Sequence, residues 1–133
     1  MPGTCRYGFG KEVSYDFDVT VEKVETLLNN HGFKIWTRLQ LDEIMCKDMH
    51  EVFGRYVIFG ACNPAFAESI FRADSDIGLL MPCNIIVYEL PTGGCRVMIK
   101  DPLRIMDMLD APEAIEAAIK IKEQMEEIVE ELG

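Results

Sequence analysis

Tyr56-Val57-Ile58-Phe59-Gly60-Ala61-Cys62-Asn63-Pro64 and its counterpart Pro82-Cys83-Asn84-Ile85-Ile86-Val87-Tyr88 decide how this chain is read. Each joins an apolar, β-branched and aromatic run to a Cys-Asn dipeptide beside a proline. Runs of this composition and length suit buried strands. In the first stretch the strand runs into the dipeptide; in the second the dipeptide runs into the strand. If the two strands share a sheet, both Cys-Asn pairs lie at the same end of it. That end is the candidate site, with Cys62, Asn63, Pro64, Pro82, Cys83 and Asn84 as its residues.

Working outward, Pro64 stands where a first helical turn begins, and Asn63 is a good N-cap. The helix runs to about Ala73. Asp74-Ser75-Asp76 is a turn, and Ile77 to Met81 a connection packed under the site. Beyond Tyr88, Pro91-Thr92-Gly93-Gly94 turns the chain and Cys95 to Lys100 returns, with Cys95, Val97 and Ile99 on one face. This is the clearest hairpin in the sequence.

Upstream, Val13, Tyr15 and Phe17 alternate with polar residues and predict a half-buried strand, followed by a helix capped by Asp18 or Thr20. Val21, Val24, Leu27, Leu28 and His31 form one helical face. Gly32 is its stop, and Phe33 folds back on the last turn. A strand over Phe33 to Leu39 places Phe33, Ile35, Thr37 and Leu39 on one side and Trp36 on the other. Asp42 to Phe53 reads as a short helix. On it Cys46 and His50 share a face, but a lone C-x3-H pair supplies only two corners of a metal site, so no metal is assigned.

Asp110 to Leu132 is the longest helix. Asp110 and Glu113 form a variant capping box around Pro112. Its buried stripe is read as Ile115, Ala118, Ile119, Met125, Ile128, Val129 and Leu132. The hairpin and the period-two strands favour an α+β fold: a mostly antiparallel sheet with helices packed on one face. The length of 133 residues predicts one domain over residues 1–133, and 49% apolar residues suffice for a real core without disulfide staples.

The charge of −10 argues against nucleic acid or an anionic membrane as the main partner, since both require a basic surface. No signal-peptide pattern and no bilayer-length apolar run is present, so the expected location is cytoplasmic. The five cysteines are an odd number with no CxxC pair, which argues against a disulfide framework, a zinc ribbon or an iron–sulfur cluster. No cofactor is implied.

The run Phe59 to Pro64 with Ala67, and the run Ile77-Gly78-Leu79-Leu80-Met81-Pro82-Cys83-Asn84 leading to Tyr88, resemble the family catalogued as domain of unknown function 302 (DUF302). The resemblance extends from about Gly8 to the C-terminal helix. It implies a small α+β fold of the TATA-binding-protein-like (TBP-like) type, with a curved antiparallel sheet and frequent homodimers. Some members are encoded or fused with thiol and sulfur-handling proteins, which points toward sulfur chemistry. Met81 departs from the usual leucine, and Cys46 and His50 are not family features.

Three functions follow for the site. One is a small-ligand or anion-binding module at Asn63, Pro64, Pro82 and Asn84, with Asn63 and Asn84 offering amide donors. Another is thiol or persulfide chemistry on a small molecule or sulfur species. There Cys62 at a helix N-terminus, with a lowered pKa, is the nucleophile and Cys83 its partner. The third is a structural homo-oligomeric protein, most simply a homodimer, in which both cysteines only pack.

Overall fold

A computed structural model describes residues 2–45, 51, 54–108 and 112–133. Six strands form one antiparallel sheet: β1 (Pro2–Cys5), β2 (Gly8–Val13), β3 (Lys34–Gln40), β4 (Tyr56–Cys62), β5 (Cys83–Glu89) and β6 (Cys95–Lys100). Their spatial order is β1-β2-β6-β5-β4-β3, so β1 and β3 are the edges. The helices with described bounds are α1 (Phe17–Asn30), α2 (Leu41–Ile44), α3 (Pro64–Ala73), α4 (Pro102–Met106) and α5 (Pro112–Glu131), with a 3-10 turn at Ser75–Leu79. This is the expected α+β architecture. The core lies between the helices and one sheet face, where Val57, Phe59, Ile85, Val87, Val97 and Ile99 meet Val24, Leu28, Ala118 and Met125. Among the described residues, no helix is long and apolar enough to cross a membrane.

The entry to α1 differs from the sequence reading. Strand β2 ends at Val13, opposite Cys95, where the β5–β6 turn leaves no further partner. Tyr15 and Phe17 are therefore not strand residues. Asp16 is the cap instead: its carboxylate accepts from the Val19 amide at 2.9 Å, and its carbonyl accepts from the Thr20 hydroxyl at 2.7 Å. Phe17, at the first helical position, is buried. The far end of α1 closes as expected, with Phe33 N–H donating to the Leu28 carbonyl and Gly32 N–H to that of Asn29. Gly32 takes a φ of 83°, and this pairing is the Schellman stop.

Strand β3 also departs from simple alternation. Ile35 pairs with Ala61, but Thr37 pairs with Gly60, so a bulge at Trp36 shifts the register. Cross-strand partners share a sheet face. Ile35 and Arg38 therefore lie on the helix-covered side with Ala61 and Phe59, Arg38 remaining exposed and paired with Glu25, whereas Thr37 and Leu39 face the opposite side. Trp36 is half exposed, at 49%.

The stripe of α5 is rotated from the predicted one. Ala114, Ala117, Ala118, Ile121, Met125, Ile128 and Leu132 are buried, while Ile115 and Ile119 lie toward solvent. Small alanines let the first turns of α5 approach its neighbours closely, a packing that a search for large apolar residues overlooks. Of the helix predicted over Asp42–Phe53, the start is seen as the short α2 that ends at Ile44, with Gln40 rather than Asp42 at its N-cap. Asp42 instead accepts from the Tyr56 amide at 2.8 Å, tying α2 to the start of β4. Cys46, Met49, His50, Val52, Phe53 and Asp110 lie outside the described residues. The hairpin β5–β6 and the helix from Pro64 to Ala73 form where the sequence places them.

Candidate functional site

The two Cys-Asn motifs meet. Strands β4 and β5 are adjacent and antiparallel, with Ala61 opposite Cys83 and Gly60 opposite Asn84. Gly60 is what lets the second motif close on the first. A Cβ there would stand 2.5 Å from the Pro82 ring and 2.4 Å from the Thr37 hydroxyl oxygen, well inside van der Waals contact. Lys100 fastens the same junction, its ammonium donating to the carbonyls of Leu80 at 2.9 Å and Pro82 at 3.2 Å.

The six motif residues then divide. Cys62 and Cys83 are buried, at 3% and 7% exposure. Both line a cavity of about 30 Å³ walled by Phe33, Ala67, Ile70, Met81, Met106 and Ile121, among others. That space holds about one water. Burial pushes the Cys62 thiol above its ordinary value and the Cys83 thiol up to about 12, against the opposing pull of the nearby Lys100 ammonium. Burial thus opposes the helix-terminal activation expected of Cys62, because a thiolate removed from water is disfavoured. Cys83 donates weakly to the Lys100 carbonyl at 3.5 Å.

Asn63 is also turned inward. Its side-chain oxygen accepts from the Ala65 amide at 3.0 Å, capping α3, and its amide donates to Gln124 on α5 at 2.9 Å. Both ends of the group are occupied by structure. Pro64 is the first residue of α3, where its fixed φ suits the helix start. Pro82 packs over Gly60. Pro64 and Asn84 are exposed; Asn84 points away from the core and makes no side-chain hydrogen bond to a described residue.

Asn84 opens onto the face of the sheet opposite the helices. An open hollow of about 600 Å³ lies there, bordered by Asn84, Ile86 and Tyr88 of β5 and Arg96, Met98 and Lys100 of β6. Tyr56, Gly8, Cys5 and Tyr7 complete its rim. The rings of Tyr56 and Tyr88 stack with centroids 5.1 Å apart and planes 5° from parallel. Partial burial, with the neighbouring Tyr88 and Tyr7, raises the Tyr56 phenol above its ordinary value, so it remains a neutral phenol near pH 7. Strand β2 lies beside β6 in the same sheet, Gly10 opposite Met98, so closely that a Cβ on Gly10 would meet the Val97 carbonyl oxygen at 1.8 Å.

Reading the motifs alone misses this surface. Its signal lies in the alternation of the hairpin: opposite the core residues Cys95, Val97 and Ile99 stand Arg96, Met98 and Lys100, and opposite Ile85 and Val87 stand Ile86 and Tyr88. A purely solvated face would carry few of these apolar and aromatic side chains.

Comparison with known proteins agrees with this architecture. No curated protein matches the chain. A crystal structure described as that of an uncharacterized conserved protein DUF302 from Bacillus stearothermophilus superposes with a TM-score of 0.84 at 22% sequence identity. The match covers 97% of this chain and 100% of that one, and at this identity the likeness establishes the fold. The family described as domain of unknown function DUF302 matches residues 9–132. The chain belongs to the DUF302 family.

Proposed function

We propose that this protein is a small-molecule-binding module whose ligand surface is the open face of the sheet, reached by the second Cys-Asn motif through Asn84. The observation that carries this reading is the contrast in space beside the motifs. The thiol side offers about 30 Å³, whereas the open side offers about 600 Å³ with aromatic, apolar and hydrogen-bonding walls. Ligand pockets generally need several hundred cubic ångströms and a few placed polar groups. The arrangement also argues against Cys62 as a nucleophile, since a buried protonated thiol is a poor one.

Amide chemical-shift mapping with N-phenyl-naphthylamine, a neutral aromatic probe, tests the reading. Shifts clustered on β5, β6 and the β1–β2 turn are expected. Shifts confined to α3 and α5 around the cysteines would return the ligand site to the thiol side.

A second reading has an observation of its own. Leu39 faces the same side of the sheet from edge strand β3 and is 46% exposed, so the apolar surface continues past the hollow. A homodimer formed across this face covers that surface. Sedimentation at rising concentration, repeated with Leu39→Glu, tests it; a monomer throughout contradicts the dimer.

A further inference from the structure

We infer that the ligand of the open face is an organic anion with a flat apolar body, its acidic group held at the end of the hollow where Arg6 and Arg104 stand. This rests on the open-face reading above and names the class of molecule that face accepts.

The charge distribution is what singles out an anion. The chain carries 23 acidic and 13 basic residues, yet its open face is bordered by cations. Arg96 and Lys100 line the hollow itself, Lys100 with its ammonium already donating to the Leu80 and Pro82 carbonyls. At its Lys100 end, Tyr7 is shared with an adjoining recess of about 570 Å³ lined by Arg6, Tyr7 and Arg104. The two arginines come from different elements. Arg6 belongs to the β1–β2 turn and Arg104 to α4. The Asp101 amide, donating to the Tyr7 carbonyl at 2.9 Å, ties the start of α4 to that turn.

Among the described residues, the carboxylates nearby do not neutralise this end. Asp101 is engaged by Lys122 at 3.0 Å and by the Leu103 amide at 2.9 Å. Glu12 stands 3.9 Å from Arg96, at the far end of the same strand pair. Neither Arg6 nor Arg104 forms an ion pair with a described residue. Two guanidinium groups without a partner among the described residues, beside an exposed tyrosine, can receive a carboxylate, sulfonate or phosphate in forked hydrogen bonds. The other half of the hollow supplies the complementary requirement. Ile86, Met98 and the stacked Tyr56–Tyr88 pair form an apolar and aromatic floor suited to a planar body.

Two probes with the same aromatic body separate the charge from the face. Anilinonaphthalene sulfonate carries the anion and N-phenyl-naphthylamine lacks it. Fluorescence titration of the full chain is expected to show the sulfonate binding at least about tenfold more tightly, roughly the worth of one charge-assisted hydrogen bond. Arg6→Ala with Arg104→Ala should remove that advantage and leave the neutral probe unchanged. Raised salt should weaken only the sulfonate.

Equal binding of both probes on β5 and β6 overturns the anion inference and leaves the open-face reading standing. Binding of neither probe to monomeric protein, or a concentration-dependent dimer that excludes both, overturns the two together. A sulfonate preference that survives the double substitution overturns the assignment to Arg6 and Arg104.

Discussion

Strands β4 and β5 separate two unlike environments. On the helix side, Cys62 and Cys83 border about 30 Å³ of space. On the other side, Asn84, Ile86 and Tyr88 border about 600 Å³. The sequence motif is shared by both, because alternate residues of one strand point to opposite faces. A duplicated Cys-Asn dipeptide therefore does not build one symmetric site. It places sulfur in the core and one amide on the surface, and what each residue can do follows from which way it points.

The largest effect that can break this contrast lies on the open side. Gly10→Ala puts a methyl group 1.8 Å from the Val97 carbonyl oxygen and 2.8 Å from the Met98 Cα. Both are backbone atoms, so β2 must move away from β6. A loss of about 3 kcal/mol is expected by denaturant unfolding. A loss below about 0.5 kcal/mol would show that β2 and β6 are not so closely apposed, and with it the shape of the hollow would change.

On the sealed side the sharpest test is alkaline. The folded Cys83 thiol is pushed up to about 12 by burial, whereas an unfolded thiol titrates near roughly 8.5. Between these values the unfolded chain binds fewer protons than the native one. Stability therefore falls as pH rises, with a slope from this group approaching about 1.4 kcal/mol per pH unit. Below roughly pH 8 the contribution vanishes, because both states are protonated. Cys83→Ala should make the slope shallower between about pH 9 and 11. An unchanged slope would mean that the thiol is not sealed.

Asn63→Ala removes the α3 cap and the donor to Gln124 together. About 1–2 kcal/mol of destabilisation is expected in thermal or denaturant unfolding. Asn63→Asp keeps the capping oxygen and should recover part of it. The smallest effect belongs to the open face. Arg96 meets Glu12 only at 3.9 Å in a partly exposed pair, so Arg96→Ala should leave stability within about 0.5 kcal/mol. A large loss there would make the open face a structural surface rather than a binding one.

Much of the fold was legible from residue types. The β-branched runs, the turn at Pro91–Gly94, the Asn63-Pro64 helix start and the Gly32 stop are local signals, and local signals survive folding. The errors have non-local causes. Tyr15 and Phe17 continue a period-two pattern, but β2 loses its β6 partner at Val13 and Asp16 caps a helix there instead. Thr37 and Leu39 change sides because Trp36 is an extra residue in the ladder, which no alternation rule anticipates. The α5 stripe was misplaced because its buried early turns are lined by alanine.

For the site, the sequence brought the correct strand ends together but could not orient them. Helix-end electrostatics suggested an activated Cys62, while its burial, set by residues from α3, α4 and α5, pushes the thiol in the opposite direction. The arginines of the open face were legible only as scattered charges. Arg6 and Arg104 are far apart in the chain, and only the pairing of β1, β2 and β6 brings their elements together.

The most direct measurement is alkylation of the native protein by iodoacetamide, read peptide by peptide, with and without anilinonaphthalene sulfonate. Cys5 borders the open hollow and is exposed, whereas Cys62 and Cys83 are buried. The account predicts that Cys5 labels readily and is protected by the probe, while Cys62 and Cys83 label only as the protein unfolds, with no direct masking by the probe. Rapid labelling of Cys62 or Cys83 in the folded protein, selectively blocked by the probe, would contradict it and make the paired cysteines the functional centre.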